Sequence, residues 1–493
     1  MARSQNIMRA TFRYITLATL AALAASSASP TAGAGSRVEQ NAAAVPCFIE
    51  GVSSRAKCYR INVPEDWSAS SGKQLALNVA VLPATGVAKD DSALFVLAGG
   101  PGQAATHYGA LLTKELDRVR ATRPVILMDQ RGTGGSNGLR CIDEGAAATT
   151  VTAEPDAIQK CRRGWSGTAL QHYTTRDVVR DMEAVRSSLG YEQLDLWGAS
   201  WGTRTALLYM RAFPERVRTA VLDGVTGPSG TLFENEAPFA QQALEALFQD
   251  CEKDVPCRSA FPDLRQRASG WLQKDAPQEI RYLTADGQFT TASMDPLLLK
   301  QIVRGALYSP DVASRLPFAL DRLTRGDATA LLAIAQGTTS LNRETMFHGA
   351  TFSSLCAEEL PRISKEEVQR SGAGTFVGDD YYRIWASGCA GWPTKPLPKD
   401  YAAPVTTNVP VLLLSGALDP VTPPASAEAV KAHLPRAWHV IAPYAGHNVT
   451  SVPCAGRVIA EFIRSADGSR LDASCITKRK RPPFMVSPLG PTA

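Results

Sequence analysis

The segment Leu194-Asp195-Leu196-Trp197-Gly198-Ala199-Ser200-Trp201-Gly202 runs from a short apolar stretch into G-x-S-x-G, and Thr203 to Met210 continues as a helix. Glycines on both sides of Ser200 permit a sharp strand-to-helix turn that lifts the hydroxyl clear of a sheet. The backbone N–H of Trp201 then faces a developing oxyanion from a helix N-terminus. A serine becomes a nucleophile at neutral pH only beside a base that a carboxylate orients. Downstream, Val411 to Leu414 leads through Ser415-Gly416-Ala417-Leu418 to Asp419, and the next strand-like run ends at Tyr444-Ala445-Gly446-His447. Ser200, Asp419 and His447 therefore supply nucleophile, acid and base in a recognised chain order. Asp223, which closes Ala220-Val221-Leu222, is the competing acid; Asp419 is preferred, leaving Asp223 as a structural carboxylate.

A second donor to an oxyanion requires an early glycine-rich loop, and Leu97-Ala98-Gly99-Gly100-Pro101-Gly102 provides one. A phosphate-binding reading of that loop fails, because no Lys-Ser/Thr follows it and the G-x-G-x-x-G spacing is absent. Metal chemistry has no support: there is no CxxC or HExxH, and the six histidines are scattered. No metal and no organic cofactor is expected.

These residues need a scaffold that brings distant loops together. From Leu75 to Asp223 short apolar runs alternate with helix-period stretches: Leu94 to Leu97, Val125 to Met128, Leu194 to Trp197 and Ala220 to Leu222. Between the second and third, Val178, Val179, Met182, Val185 and Leu189 recur on one helical face, with Thr175 as the expected cap and Gly190 at the left-handed terminus. Strands alternating with helices imply a mainly parallel sheet covered on both faces. The segment 226–395 is mostly helical, after which Val411 to Leu414 and His439 to Ile441 resume the strand pattern. The economical reading is an α/β core, 35–225 and 396–493, interrupted by a helical cap over 226–395 that covers the strand ends. Two consecutive independent domains would leave the last strands without a sheet.

The chain has 493 residues, of which 44% are hydrophobic and 20% charged, enough for a packed core and unlike a disordered protein. The formal charge is +5, falling to about +2 once Arg3, Arg9 and Arg13 are set aside, which offers no electrostatic basis for binding nucleic acid. Those arginines belong to a signal-peptide pattern over 1–34: a basic start, an apolar run from Tyr14 to Ala25, and small residues with cleavage expected after Ala28 or Ala34. The run is short for a bilayer span, and no stable membrane insertion is expected. Ten cysteines in an exported chain point to an oxidising compartment, secreted or periplasmic. They fall into near-neighbour couples: Cys47 with Cys58, Cys141 with Cys161, Cys251 with Cys257, Cys356 with Cys389, and Cys454 with Cys475. Asn448-Val449-Thr450 reads as a chance sequon, and Lys478-Arg479-Lys480-Arg481 as a solvated stretch of tail. The oligomeric state is left open.

Taken together, Gly99-Gly100-Pro101-Gly102, Asp129-Gln130-Arg131-Gly132-Thr133-Gly134-Gly135-Ser136, Gly198-Ala199-Ser200-Trp201-Gly202-Thr203, Asp419 and Gly446-His447 resemble the prolyl aminopeptidase and tripeptidyl aminopeptidase group of α/β-hydrolase serine peptidases. The resemblance covers roughly Leu75 to Phe462. It implies that Gly100 and Trp201 donate to the oxyanion and that Ser200, Asp419 and His447 form the triad. It also implies an exopeptidase acting on peptides with a free N-terminus, whose ammonium meets acidic groups of the cap. Glu358 and Glu359, beside Cys356, are the first candidates for that role, with Glu234 and Glu236 in reserve. Ala98 stands where many α/β hydrolases have a histidine, and the exported, cysteine-bearing character puts strict proline specificity in doubt. The same triad would serve an esterase of small carboxylic esters, the alternative within hydrolases. A binding protein that had kept the fold is the alternative outside them, against which the intact triad argues.

Overall fold

The computed structural model describes residues 43–69, 71–87, 92–109, 114–141, 155–335 and 346–491. The expected signal peptide, 1–34, lies outside the described residues. Among those described, β1 (Val45–Cys47), β2 (Ala56–Pro64), β3 (Gln74–Leu82), β4 (Ser92–Leu97), β5 (Val125–Met128), β6 (Gln193–Ala199), β7 (Val217–Asp223), β10 (Val411–Gly416) and β11 (Ala437–Ala442) form one sheet. The remaining two, β8 (Gln278–Leu283) and β9 (Phe289–Met294), pair as a separate antiparallel hairpin, which the helical pattern of that region did not announce. The order across the large sheet is β1-β2-β3-β5-β4-β6-β7-β10-β11. It is antiparallel from β1 to β5 and parallel from β5 onwards.

Central strands of a covered parallel sheet bury both faces, and β4 and β10 are buried throughout. Alternation then sorts their side chains: Phe95, Leu97 and Leu413 join one core with Leu196 and Met210, while Leu94, Val96 and Leu412 join the other with Trp197 and Phe462. The helix Thr175–Leu189 packs its apolar stripe on the first face and ends at Gly190 with φ 79°. Its cap differs from expectation. Thr174 occupies that position, and the Thr175 hydroxyl is turned away to Glu358, with consequences described below.

Register brings the carboxyl ends of the parallel strands level: Leu97 lies beside Gly198, Ala199 beside Asp223, and Leu414 also beside Asp223. The loops leaving that edge carry Gly99 to Gly102, Ser200, Gly224 and Asp419, and the loop after β11 carries His447. This is where ligands bind in sheets of this kind.

Between β7 and β10 the chain leaves the sheet for helices that include Leu232–Lys253, Pro296–Ala306, His348–Glu358 and Asp380–Cys389. They have a core of their own, with Phe248, Trp271, Leu299, Val303 and Leu320 in it. All ten cysteines are bridged, in the five near-neighbour couples read from the spacing. Among the described residues no helix is long and apolar enough to cross a membrane.

The basic tail is not simply solvated. Arg481 pairs with Asp250 of the cap, its guanidinium also covering the Phe484 ring, and Phe484 is buried in the cap's core. The Met485 N–H donates to the Ser314 carbonyl at 3.0 Å, so the C-terminal stretch crosses from the sheet and straps the cap.

Candidate active site

Ser200 sits between β6 and the helix Trp201–Ala212 with φ 54° and ψ −122°, a left-handed-side conformation that costs a non-glycine residue of order 1–3 kcal/mol. Its neighbours must be glycines for reasons of space. A Cβ on Gly202 would lie 2.1 Å from the Leu97 carbonyl oxygen, and one on Gly198 would lie 2.6 Å from that of Gly202. The Ser200 N–H donates to the Asp223 carbonyl at 2.9 Å, and the Ser200 carbonyl accepts from the Thr203 N–H at 2.9 Å, so the turn is tied at both ends.

His447 and Asp419 meet at the same corner. His447 Nδ1 lies 2.8 Å from Asp419 Oδ2, which selects the tautomer with hydrogen on Nδ1 and leaves Nε2 as the base. A Cβ on Gly224, the residue after Asp223, would come within 3.1 Å of His447 Cε1, so His447 stands over the strand end to which Ser200 is bonded. Asp419 is buried, with Oδ1 accepting from the Val421 and Thr422 N–H groups and Oδ2 from the Thr422 hydroxyl at 2.7 Å. Burial disfavours its charge, but the imidazole of His447 and these hydrogen bonds outweigh burial and hold its carboxyl below the usual range. Burial likewise opposes protonation of His447, and the Asp419 charge overcomes it, raising the imidazole above its ordinary value. Thr422, whose hydroxyl also lies 3.2 Å from His447 Nδ1, is a member of the site that the sequence reading passed over. The available signal was its place three residues after an aspartate in a loop, the spacing of an Asx-type turn.

The rival acid has a different task. The Asp223 carboxylate accepts from the Val449 and Thr450 N–H groups, both at 2.7 Å, and from the Thr450 hydroxyl, so it ties the loop after His447 to the sheet. The Asn448 side chain donates to the Asp223 carbonyl at 3.1 Å and is engaged in the fold.

The loop of Gly99 to Gly102 lies directly against the serine turn: a Cβ on Gly99 would be 2.9 Å from the Ala199 carbonyl oxygen and 3.0 Å from Ser200 Cβ. Gly100, at φ 108°, adopts a conformation that favours glycine. With Ala98 lacking a bracing side chain, Gln130 donates to the Ala98 carbonyl at 3.3 Å, and the cap completes the support. The Thr351 hydroxyl donates to the Pro101 carbonyl at 2.6 Å, and the Phe347 N–H to that of Gly102 at 2.8 Å.

The cap reaches the base as well. The His447 N–H donates to the Tyr308 carbonyl at 2.8 Å, and the Tyr308 ring packs edge-on to the imidazole at 5.2 Å between centroids. Behind it Arg304 donates to the Tyr308 hydroxyl at 3.1 Å, covers the rings of Tyr308 and Tyr381, and pairs with Glu236 at 2.5 Å. Burial pushes the Glu236 carboxyl up to about 7, against the opposing effect of Arg304.

The acidic candidates separate clearly. Glu358 and Glu359 are both fully buried, and their oxygens are occupied. Glu358 accepts from the Thr175 N–H and hydroxyl, each at 2.7 Å, and from the Tyr401 hydroxyl at 2.8 Å. Glu359 is paired with Arg204 and accepts from the Leu232 N–H. Both oxygens of each carboxylate are thus engaged by partners within the fold, which favours a structural duty over the expected role as partners of a substrate ammonium. Glu234 is exposed at the start of the helix Leu232–Lys253, and Glu236, two residues on and facing the other way, is buried beside Arg304. A cleft of about 390 Å³ between that helix start and the helix Pro424–Lys431 has Thr226 and Thr422 in its wall, the latter bonded to Asp419. Among the described residues no group of three or more His, Cys, Asp or Glu side chains is disposed to hold a metal ion.

A serine on a strained turn at the carboxyl edge of this sheet, with a histidine and a buried aspartate beside it, is the arrangement of a serine hydrolase. The family model of the alpha/beta hydrolase fold matches residues 93–450, more than half of the chain, and the protein belongs to that family. Among its relatives, "Serine protease Hip1" of Mycobacterium tuberculosis is 25% identical over 409 residues, covering 75% of this chain and 77% of that protein. "Tripeptidyl aminopeptidase" of Streptomyces coelicolor is 24% identical over 454 residues, covering 85% and 83%. A "Putative proline iminopeptidase" of Mycoplasma pneumoniae is 35% identical over 131 residues, 27% of this chain and 31% of that protein.

Proposed function

We propose that the protein is an exported serine exopeptidase that hydrolyses peptide bonds near the free N-terminus of peptides, of the prolyl or tripeptidyl aminopeptidase type. Ser200 Oγ attacks the carbonyl carbon while His447 Nε2 takes its proton, and Asp419 stabilises the imidazolium that results. The backbone N–H groups of Gly100 and Trp201 receive the negative oxygen. His447 then gives the proton to the leaving amine, and water, activated by the same imidazole, releases the acyl group from Ser200.

The observation that carries the peptide reading is the Glu236–Arg304–Tyr308 series that ends on His447. An exopeptidase must place one positive charge at a set distance from its nucleophile, and a buried carboxylate on a rigid helix does so by a charge-assisted hydrogen bond. Glu236 has that character. Its only ion-pair partner named above is Arg304, and its carboxylate oxygens have no well-aligned hydrogen bond. The relatives named as serine protease and tripeptidyl aminopeptidase support the same class. Five disulfides, with the signal-peptide pattern of 1–34, support export.

The test is hydrolysis of fluorogenic Pro-, Ala- and Ala-Ala-Pro-type amides, their N-acylated counterparts, and short-chain esters. Turnover of the free-amine amides that disappears on N-acylation is the expected result. Ester turnover indifferent to an amine would replace the peptidase reading by the esterase one.

A further inference from the structure

We infer that Glu358 and Glu359, two consecutive carboxylates of the cap, are positioning residues for the oxyanion hole: together they lock the Trp201 side chain from two sides and so aim its backbone N–H. This rests on the assignment of Ser200 as nucleophile and Trp201 as oxyanion donor made above.

The Trp201 indole is buried at the junction of cap and sheet, in a cluster with Phe233, Leu355 and Trp385. Its Nε1–H donates to the Thr175 hydroxyl oxygen at 3.0 Å. That hydroxyl has one hydrogen, and Glu358 Oε2 takes it at 2.7 Å, which leaves a lone pair directed at the indole. Glu358 Oε1 accepts from the Thr175 N–H, so the same carboxylate fixes both the position and the polarity of the group that holds Trp201. The opposite constraint comes from Arg204, whose guanidinium lies over the indole ring, 4.2 Å from its centroid. Arg204 is itself held by Glu359 and donates to the Thr226 hydroxyl and the Gly230 carbonyl.

Ser200, immediately before Trp201, has φ 54°, and such a conformation persists only where its surroundings over-determine it. On the other side of the turn the Ser200 N–H is tied to β7. On the Trp201 side, the polar constraints on the indole are its hydrogen bond to Thr175 and the Arg204 guanidinium, and each leads to one of the two glutamates. The helix His348–Glu358 ends at Glu358, so the pair stands on a rigid element, pinned two residues earlier by the Cys356–Cys389 bridge. Loosening it lets the Trp201 N–H drift from the oxyanion while the substrate's own contacts remain.

The experiment compares Glu358→Gln, Glu359→Gln, Thr175→Val and Trp201→Phe with the wild-type mature protein on a free-amine tripeptidyl amide. Labelling by a fluorophosphonate, absent in Ser200→Ala, first establishes the nucleophile; failure there overturns the catalytic assignment itself and with it this inference. With labelling intact, the expected result is kcat lower by about ten- to a hundredfold and KM within about threefold, because a displaced donor loses part of the 10²–10³ that a whole one supplies. Affinity for a peptide aldehyde, whose adduct on Ser200 places an oxyanion in the hole, should fall by the same factor as kcat, and affinity for the product peptide should not. A rise in KM at unchanged kcat would overturn the inference in favour of direct substrate contact. Unchanged kcat in folded variants would reduce the pair to a structural clasp and also overturn it. Should the glutamate variants fail to fold, Thr175→Val decides, since it keeps the side chain's shape and deletes the hydroxyl that links Glu358 to the indole.

Discussion

Glu236→Gln tests the amine-recognition reading through two independent quantities. Glutamine keeps the shape and an acceptor for Arg304 but removes the charge. A hydrogen bond to a charged group contributes about 1.5–3 kcal/mol, so kcat/KM for free-amine substrates should fall about ten- to a hundredfold. Turnover of a short ester, which has no amine, should stay within about threefold. The second quantity is pH. The carboxyl is raised from its ordinary 4.5 to about 7 in the folded protein, so between those values the folded chain binds a proton that the unfolded chain has released. Stability therefore falls as pH rises through that window, by about 3 kcal/mol from this group alone. The same protonation removes the ammonium's partner, so KM for free-amine substrates should rise as pH falls through about 7. Urea unfolding of wild type and variant from pH 4.5 to 7.5, with kinetics on the paired substrates, measures both. In the variant the fall in stability across the window should be smaller by about 3 kcal/mol, and KM should lose its acid rise. Equal losses on amine and ester substrates, with the pH dependence of stability unchanged, would refute the reasoning.

Three further outcomes follow from the site. Asp419→Asn should lower kcat by about 10⁴ with the fold intact, because the amide donates to His447 Nδ1 and selects the wrong tautomer; Asp223→Asn should instead lower the unfolding midpoint, having three donors to satisfy and no contact with that nitrogen, and a reversed pattern in kinetics and thermal melts would exchange the two acids. The His447 pKa is raised by Asp419, and its neutral form is the base, so the acid limb of kcat/KM should lie above about 6.5, the ordinary imidazole value; a midpoint well below that would contradict the pairing. Phe484→Ala in the C-terminal strap should cost about 3–5 kcal/mol in denaturant unfolding for a buried aromatic, and a loss under 1 kcal/mol would show that the strap does not hold the cap.

The family and the sheet were legible because local pattern carries them. G-x-S-x-G between an apolar run and a helix puts Ser200 on the strand-to-helix turn that the structure shows, and β4, β6, β7 and β10 were each visible as short apolar runs. The same is true of the five bridges, whose partners are 6 to 33 residues apart. The antiparallel edge was less so: β2 carries Arg60 and Asn62 on its outward face, a half-buried alternation that resembles a surface segment when read alone. The hairpin of β8 and β9, exposed on alternate residues, escaped for the same reason inside a helical stretch.

The surroundings of Glu358 and Glu359 were hidden for a different reason. Sequence shows that two carboxylates lie beside a bridged cysteine, but whether a buried charge faces a ligand or an internal partner depends on residues far away in the chain. Thr175 and Tyr401 for Glu358, and Arg204 and Leu232 for Glu359, come from four separate segments. Burying a carboxylate without such partners costs several kcal/mol, so complete satisfaction is itself a sign of a structural duty. Glu236 differs in that respect, since its charge is opposed by one arginine and its acidity is weakened to about 7. By this criterion the carboxylate left under-satisfied, and not the one nearest a disulfide, is the one we propose for amine recognition. On these proposed roles the cap divides its acids between two tasks, one pair holding Trp201 and one residue reaching His447 through Arg304 and Tyr308.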